Sequence, residues 1–148
     1  MTTRSEAWFS PRDNVFHHIV RALDATRQRA DLAVFTITDD RITRAILDAH
    51  RRGVALRIVS DNDKAHDLGS DIGRLADAGL RVRIDRTPVH MHHKFAIFDG
   101  RLLLTGSYNW TRSANEENAE NILLTEDETL VKAFAAEFEH CWSQAEDF

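Results

Sequence analysis

The apolar residues Val15, Phe16, Ile19, Val20 and Leu23 recur at the three- and four-residue spacing of one helix face, after Pro11 and with Asp13 available near the first turn. The spacing predicts a helix there. Asp31 to Ile37 is a nearly unbroken apolar run and reads as a buried strand. Arg41 to Arg52 returns to helical spacing, presenting Ile42, Ala45, Ile46 and Ala49, and Gly53 suits its C-terminal cap. Val54 to Val59 predicts a second strand, Ser60 to Gly69 a polar loop, and Asp71 to Ala78 a short helix stopped by Gly79. In Leu80 to Ile84, Leu80, Val82 and Ile84 alternate with Arg81 and Arg83, the pattern of a strand with one buried face.

Further along, Phe95 to Phe98 and Leu102 to Leu104 are apolar on both faces, as central strands are. Asp99-Gly100 between them is a two-residue hairpin signal. Glu120 to Leu124 forms another strand, and Leu130, Val131, Phe134, Phe138, Cys141 and Trp142 lay one apolar stripe along a closing helix. Helices alternate with strands early and a hairpin sits in the middle. This order predicts an α/β sandwich with a mixed sheet, one domain over residues 1–148 without internal repeat, low-complexity segment or linker.

Composition narrows the class. A chain of 148 residues can bury one good core, and 43% hydrophobic with 29% charged residues describes a soluble globular protein. The net charge of −5 argues against nucleic acid until its distribution is read. Residues 41–112 carry 13 Lys or Arg against 8 Asp or Glu, residues 113–148 carry one against 10, and residues 1–40 carry 5 against 6. The acidic C-terminal part reads as the solvated face of a helix. Cys141 stands alone, so no intramolecular disulfide is possible, and it reads as a small buried hydrophobe. Residues 1–10 lack a basic and then apolar leader, and no run reaches the ~18 apolar residues of a membrane span. A cytoplasmic protein is expected.

The candidate chemistry lies in the basic part. His92-His93-Lys94-Phe95-Ala96-Ile97-Phe98-Asp99, then Gly106-Ser107-Tyr108-Asn109, reads as H-x-K-x4-D-x6-G-S-x-N, six fixed identities over eighteen positions. These types suit cleavage of a phosphodiester without a metal. His92 can attack phosphorus, and Lys94 can neutralise a non-bridging oxygen. Ser107 and Asn109 can donate hydrogen bonds, and Gly106 lets the backbone approach closely. Ser107 also fits a plain turn residue, and Asp99 opens an Asp-Gly turn that turn chemistry alone explains. A metal reading of His90, His92 and His93 is opposed by Lys94, which would put an ammonium beside the cation. Strand alternation sets His90, His92 and Lys94 on one face and His93 on the other. Neither a metal nor another cofactor is expected.

These residues resemble the phospholipase D superfamily, the HKD enzymes. Met91 to Ile97, Leu103 to Thr111 and Glu120 to Leu123 are similar to its small single-motif members, the bacterial Nuc-type endonucleases and the Zucchini-like cardiolipin hydrolases. Trp8-Phe9-Ser10-Pro11 and Asp31 to Thr38 are similar to the family's opening helix and first strand. The resemblance implies the family's α/β/α sandwich and makes Asp99 the D of HKD, catalytic or structural. Glu120 falls where single-motif relatives place a supporting Glu, which would bond His92 or Ser107. A single cysteine excludes the zinc-finger insertion of Zucchini-like proteins. Because the family works with two facing copies of the motif, one copy per chain implies a homodimer with a covalent phosphohistidine intermediate.

Three functions fit. The leading one is a metal-independent endonuclease for DNA or RNA, with Arg81, Arg83, Arg86 and Arg112 as candidates to track a phosphate backbone and Trp110 either stacking on a base or packed in the core or a dimer interface. The alternative is a cardiolipin-type lipid phosphodiesterase, against which stands the absence of a basic amphipathic helix, so no stable membrane association is expected. A non-catalytic nucleic-acid-binding module comes third, because it could dispense with His92 or Lys94.

Overall fold

The helix expected after Pro11 forms as α1 (Val15–Ala25) and buries Val15, Ile19, Ala22 and Leu23. It packs against α2 (Asp40–Arg51), capped by Asp39, whose buried carboxylate accepts the Arg41 backbone N–H at 3.0 Å. The structure, a computed structural model, describes residues 3–148. Gly53 and Gly79 follow their helices with φ of 92° and 99°, the left-handed conformation that ends a helix without steric cost in glycine.

Between the helices run β2 (Arg29–Val34), β3 (Ala55–Ser60) and β4 (Arg81–Ile84), mutually parallel in that order. On the other side of β2 lie β5 (Lys94–Phe98), β6 (Leu102–Gly106), β7 (Glu120–Thr125) and β1 (Ser5–Ser10), each antiparallel to its neighbour. A two-residue β8 (Glu146–Asp147) closes the far edge against β4. The eight strands form one mixed sheet, β1-β7-β6-β5-β2-β3-β4-β8.

Strand alternation splits the core in two. Leu32, Val34, Ala96, Phe98 and Leu104 face α1, α2 and the short α4 (Ile72–Asp77). Ala33, Phe95, Ile97 and Leu103 face Val131, Phe138 and Trp142 of α6 (Glu128–Gln144), the helix that follows the short α5 (Arg112–Glu116) and β7. The result is the expected α/β/α sandwich.

Four local expectations are corrected. Trp8, Phe9 and Ser10 lie on β1 rather than on an opening helix; paired on one side only, β1 tolerates alternating polar residues that hid it. The polar loop after Ser60 contains one helical turn, α3 (Asn62–Ala65), capped by Asp61. The hairpin loop leaves three residues outside the ladder, because Phe98 pairs with Leu102; Asp99 and Gly100 both take positive φ, 54° and 62°. Leu130 is exposed, so the stripe on α6 begins at Val131.

Gly106 is fixed by contact. A Cβ there would collide with the Asn121 carbonyl on β7, backbone that cannot swing aside. Gly106→Ala is expected to destabilise the fold by about 3 kcal/mol through overpacking, read as a lowered midpoint in thermal or urea unfolding. An unchanged midpoint would mean that the β6–β7 spacing is not tight.

Candidate active site

The carboxyl ends of β2, β3 and β4 reach one edge of the sheet, where open α/β folds hold their ligands. Antiparallel pairing brings the start of β5 and the end of β6 to the same edge, with Lys94 opposite Val34 and Phe95 opposite Thr105. The start of β7 arrives beside them, Ile122 opposite Gly106. His92, Lys94, Ser107, Asn109 and Glu120 are thereby gathered from segments up to 28 residues apart.

His92 precedes β5, and its imidazole packs on Phe35 with ring centroids 4.5 Å apart. The Lys94 Nζ lies 2.8 Å from His92 Nδ1 and donates to the His92 carbonyl at 2.8 Å. Loss of solvent, then the charges of Lys94 and His90, lower the His92 pKa from its ordinary value, which favours the unprotonated, nucleophilic ring. Burial also lowers the Lys94 pKa, and the Glu120 carboxylate works against that. A neutral imidazole beside an ammonium is the pairing that nucleophilic attack on a phosphodiester needs.

Ser107 Oγ donates to Glu120 Oε1 at 2.6 Å and accepts the Asn121 backbone N–H at 3.1 Å. Glu120 therefore orients Ser107, the second of its two expected partners, and its other oxygen takes the Asn118 amide at 3.2 Å. Asn109 is held by its neighbours. Tyr108 and Trp110 are fully buried, the Trp110 backbone N–H donates to the Thr36 carbonyl at 3.1 Å, and the Trp110 carbonyl accepts the backbone N–H groups of Thr38 and Asp39 at 3.0 Å each. The Asn109 Oδ1 is buried without a partner among the described residues. Trp110 is a core residue and does not present its ring to a base.

Other expected residues lie elsewhere. Asp99 is at the opposite end of β5, on the order of 15 Å away at ~3.3 Å per residue. Its carboxylate accepts the backbone N–H groups of Arg27, Gln28 and Arg29 at 2.8–3.1 Å. Asp99 is thus a turn anchor and outside the catalytic group. Arg83 pairs with Asp147 and donates to the Trp142 carbonyl; Arg81 sits over the Trp142 ring. Arg112 is paired with Asp40 and Glu116. These three do not line the cleft beside His92, whereas Arg86 does.

The sequence matches the family described as "Cardiolipin synthase, PLD-like domain" over residues 19–142. The chain belongs to the phospholipase D superfamily. Mitochondrial cardiolipin hydrolase of Chlamydomonas reinhardtii is 50% identical over 120 residues, 81% of this chain and 54% of the relative. The Homo sapiens protein of the same name is 46% identical over 132 residues, 89% of this chain and 52% of the relative. The chain therefore spans about half the length of these relatives. Among solved structures, the phospholipase D family member Nuc from Salmonella typhimurium superposes with a TM-score of 0.92 at 25% identity, covering 99% of both chains. The relatives' mitochondrial names overturn the expectation of a cytoplasmic protein.

Three features of this phospholipase D site escaped sequence reasoning. Phe35 supplies the platform under His92. Asp61, fully buried, accepts the Met91 N–H at 3.1 Å and meets His90 Nδ1 at 3.2 Å, pinning the segment that carries His92. Phe35 and Asp61 each follow the carboxyl end of a parallel strand, which was the available signal. The third is on α6, where His93 Nε2 meets Glu137 at 3.2 Å and Cys141 Sγ donates to the same carboxylate at 3.3 Å. Burial, then that hydrogen bond, pushes the Cys141 thiol up to about 12.

Burial alone would raise the Asp99 carboxyl, but its three backbone donors and Arg101 hold it below the ordinary value. A depressed folded pKa contributes stability above the unfolded value of ~3.9, lost as pH falls through the folded one. Asp99→Asn, which tolerates the positive φ, is expected to cost about 1–3 kcal/mol at pH 7, with the gap to wild type closing as the pH drops below ~4. Unfolding titrations from pH 7 to 3 measure it. A large loss of turnover by fully folded Asp99→Asn would restore Asp99 to the catalytic group.

Proposed function

We propose that this chain is a metal-independent phosphodiesterase that acts as a homodimer on phospholipid phosphodiesters of the cardiolipin type. The observation that carries the reaction class is the His92 imidazole with the Lys94 Nζ at 2.8 Å, at the same edge of the sheet as the Ser107 and Asn109 loop. In the first step a phosphate oxygen takes over the Lys94 ammonium, His92 nitrogen bonds to phosphorus, and the bond to the leaving oxygen breaks. The partner's His92, protonated, gives that oxygen its proton. In the second step the same group takes a proton from water, whose oxygen displaces the His92 nitrogen from phosphorus. Two imidazoles are required and one chain supplies one, which is the basis for the dimer.

For the substrate, the names of relatives at 50% and 46% identity favour the lipid over the endonuclease that sequence reasoning put first. The molecular surface agrees. Leu68 and Val89 are exposed on the connections that leave β3 and β4 at the active-site edge, where apolar tips suit contact with acyl chains. Three of the four arginines considered for a nucleic-acid track are engaged elsewhere. A nucleic acid is the second reading, favoured by Arg86 in the cleft wall.

Purified protein incubated in excess EDTA with cardiolipin vesicles, single-stranded DNA, duplex DNA and RNA is expected to convert cardiolipin to phosphatidate and phosphatidylglycerol. His92→Ala should abolish turnover and His93→Ala should retain it; Lys94→Ala should lose about 3 kcal/mol of transition-state stabilisation. Loss of activity on chelation would contradict the metal-free scheme. Cleavage of oligonucleotides with cardiolipin left intact would put the second reading first. Full activity from a species that sediments as a monomer would contradict the two-histidine mechanism.

A further inference from the structure

His93 points away from His92, toward α6. Its Nε2, the Glu137 carboxylate and the Cys141 Sγ lie within 4.8 Å of one another, and all three residues line the cleft of about 280 Å³ that also contains His92. We propose that His93, Glu137 and Cys141 form a binding site for a borderline-soft divalent cation of the zinc class.

The donor geometry is close to what the ion needs. Bonds of ~2.0–2.3 Å in a tetrahedron set donor separations of roughly 3.3–3.8 Å. The observed separations through the shared Glu137 oxygen are 3.2 and 3.3 Å. The donors are held by rigid elements: Glu137 and Cys141 stand one turn apart within the 17-residue α6, and the His93 carbonyl accepts the Phe35 N–H at 2.8 Å.

Donor chemistry selects the metal. Imidazole, carboxylate and sulfur together suit zinc, whereas magnesium and calcium take oxygen ligands. On binding, the Cys141 S–H bond breaks, the proton leaves to solvent and the sulfur lone pair bonds the cation. Glu137 and the thiolate then carry two negative charges against the two positive charges of the ion, so the filled site is neutral. His140, which lines the same cleft, or a water is available as a fourth ligand. The other group of this kind among the described residues, Asp61, Asp63 and His90, lacks sulfur, and Asp61 already serves backbone donors. The site uses none of the side chains assigned to hydrolysis. It stands apart from the substrate reading and accords with turnover in EDTA. Its structural effect is to tie α6 to the segment that carries His92.

The test is a titration of the metal-free, reduced, intact chain with Co²⁺ alone, followed by absorption. The expected result is one Co²⁺ per chain, with a near-ultraviolet thiolate-to-cobalt band and the visible bands of four-coordinate cobalt. Cys141→Ser should abolish the near-ultraviolet band. Cys141→Ser, Glu137→Gln and His93→Ala should each weaken binding by more than about 100-fold, beyond what loss of an outer hydrogen-bond partner causes. Asp63→Asn, at the competing group, should change neither. Circular dichroism confirms that each variant is folded. Absence of the thiolate band in wild type, or unchanged affinity in Cys141→Ser and Glu137→Gln, overturns the proposal.

Discussion

The register of β5 between β2 and β6 decides which side chains reach the active-site edge. With Lys94 opposite Val34 and Phe95 opposite Thr105, Ala96 and Phe98 fill the α1–α2 layer while Phe95 and Ile97 fill the α6 layer. Side chains alternate with period two, so a slip by one residue would exchange both layers. It would also send Lys94 toward α6 and His93 toward Phe35. The packing of Phe95 and Phe98 in opposite cores therefore holds the nucleophile in place. Gly106 adds a second constraint, because the approach of β6 to the Asn121 carbonyl sets where Ser107 begins.

Electrostatics act on that frame. His92 is adjoined by the cation that a phosphate needs, and the same cation helps keep the ring neutral. No hydrogen bond links Glu120 to His92 among the described residues; Glu120 fixes Ser107 and adds a compensating charge near Lys94. Burial at this edge is partial, and the backbone bonds around Trp110 and Asp61 provide the rigidity. Attack by one imidazole with protonation by another is the proposed use of this arrangement.

Much of this was legible in sequence because it rests on local signals. The apolar spacing placed α1, α2 and α6, and glycines marked helix ends. The HxK and GSxN segments brought out His92, Lys94, Ser107 and Asn109, and the structure gathers them. What was missed depends on distant partners. β1 is a strand because β7 offers it an edge, and its own alternation is half polar. Asp99 could be read as catalytic or structural until three backbone N–H groups, some 70 residues earlier, were seen to converge on it. The arginines looked like a basic track in one dimension, whereas Arg83 and Arg112 face acids from other elements. His93 had no ligand partner nearby in sequence, and α6 brings Glu137 and Cys141 to it from 44 and 48 positions away.

His92 is the residue proposed to bond to phosphorus. Its most direct test is a rapid acid-free quench of the enzyme with a slowly turned-over phosphodiester, followed by proteolysis and fragmentation mass spectrometry under conditions that preserve phosphoramidates. The expected result is a phosphoryl adduct on His92 that forms within one turnover and disappears as substrate is exhausted. An adduct on His90, His93 or Ser107 in place of His92, or full turnover through a burst with no histidine adduct at any time, would contradict it.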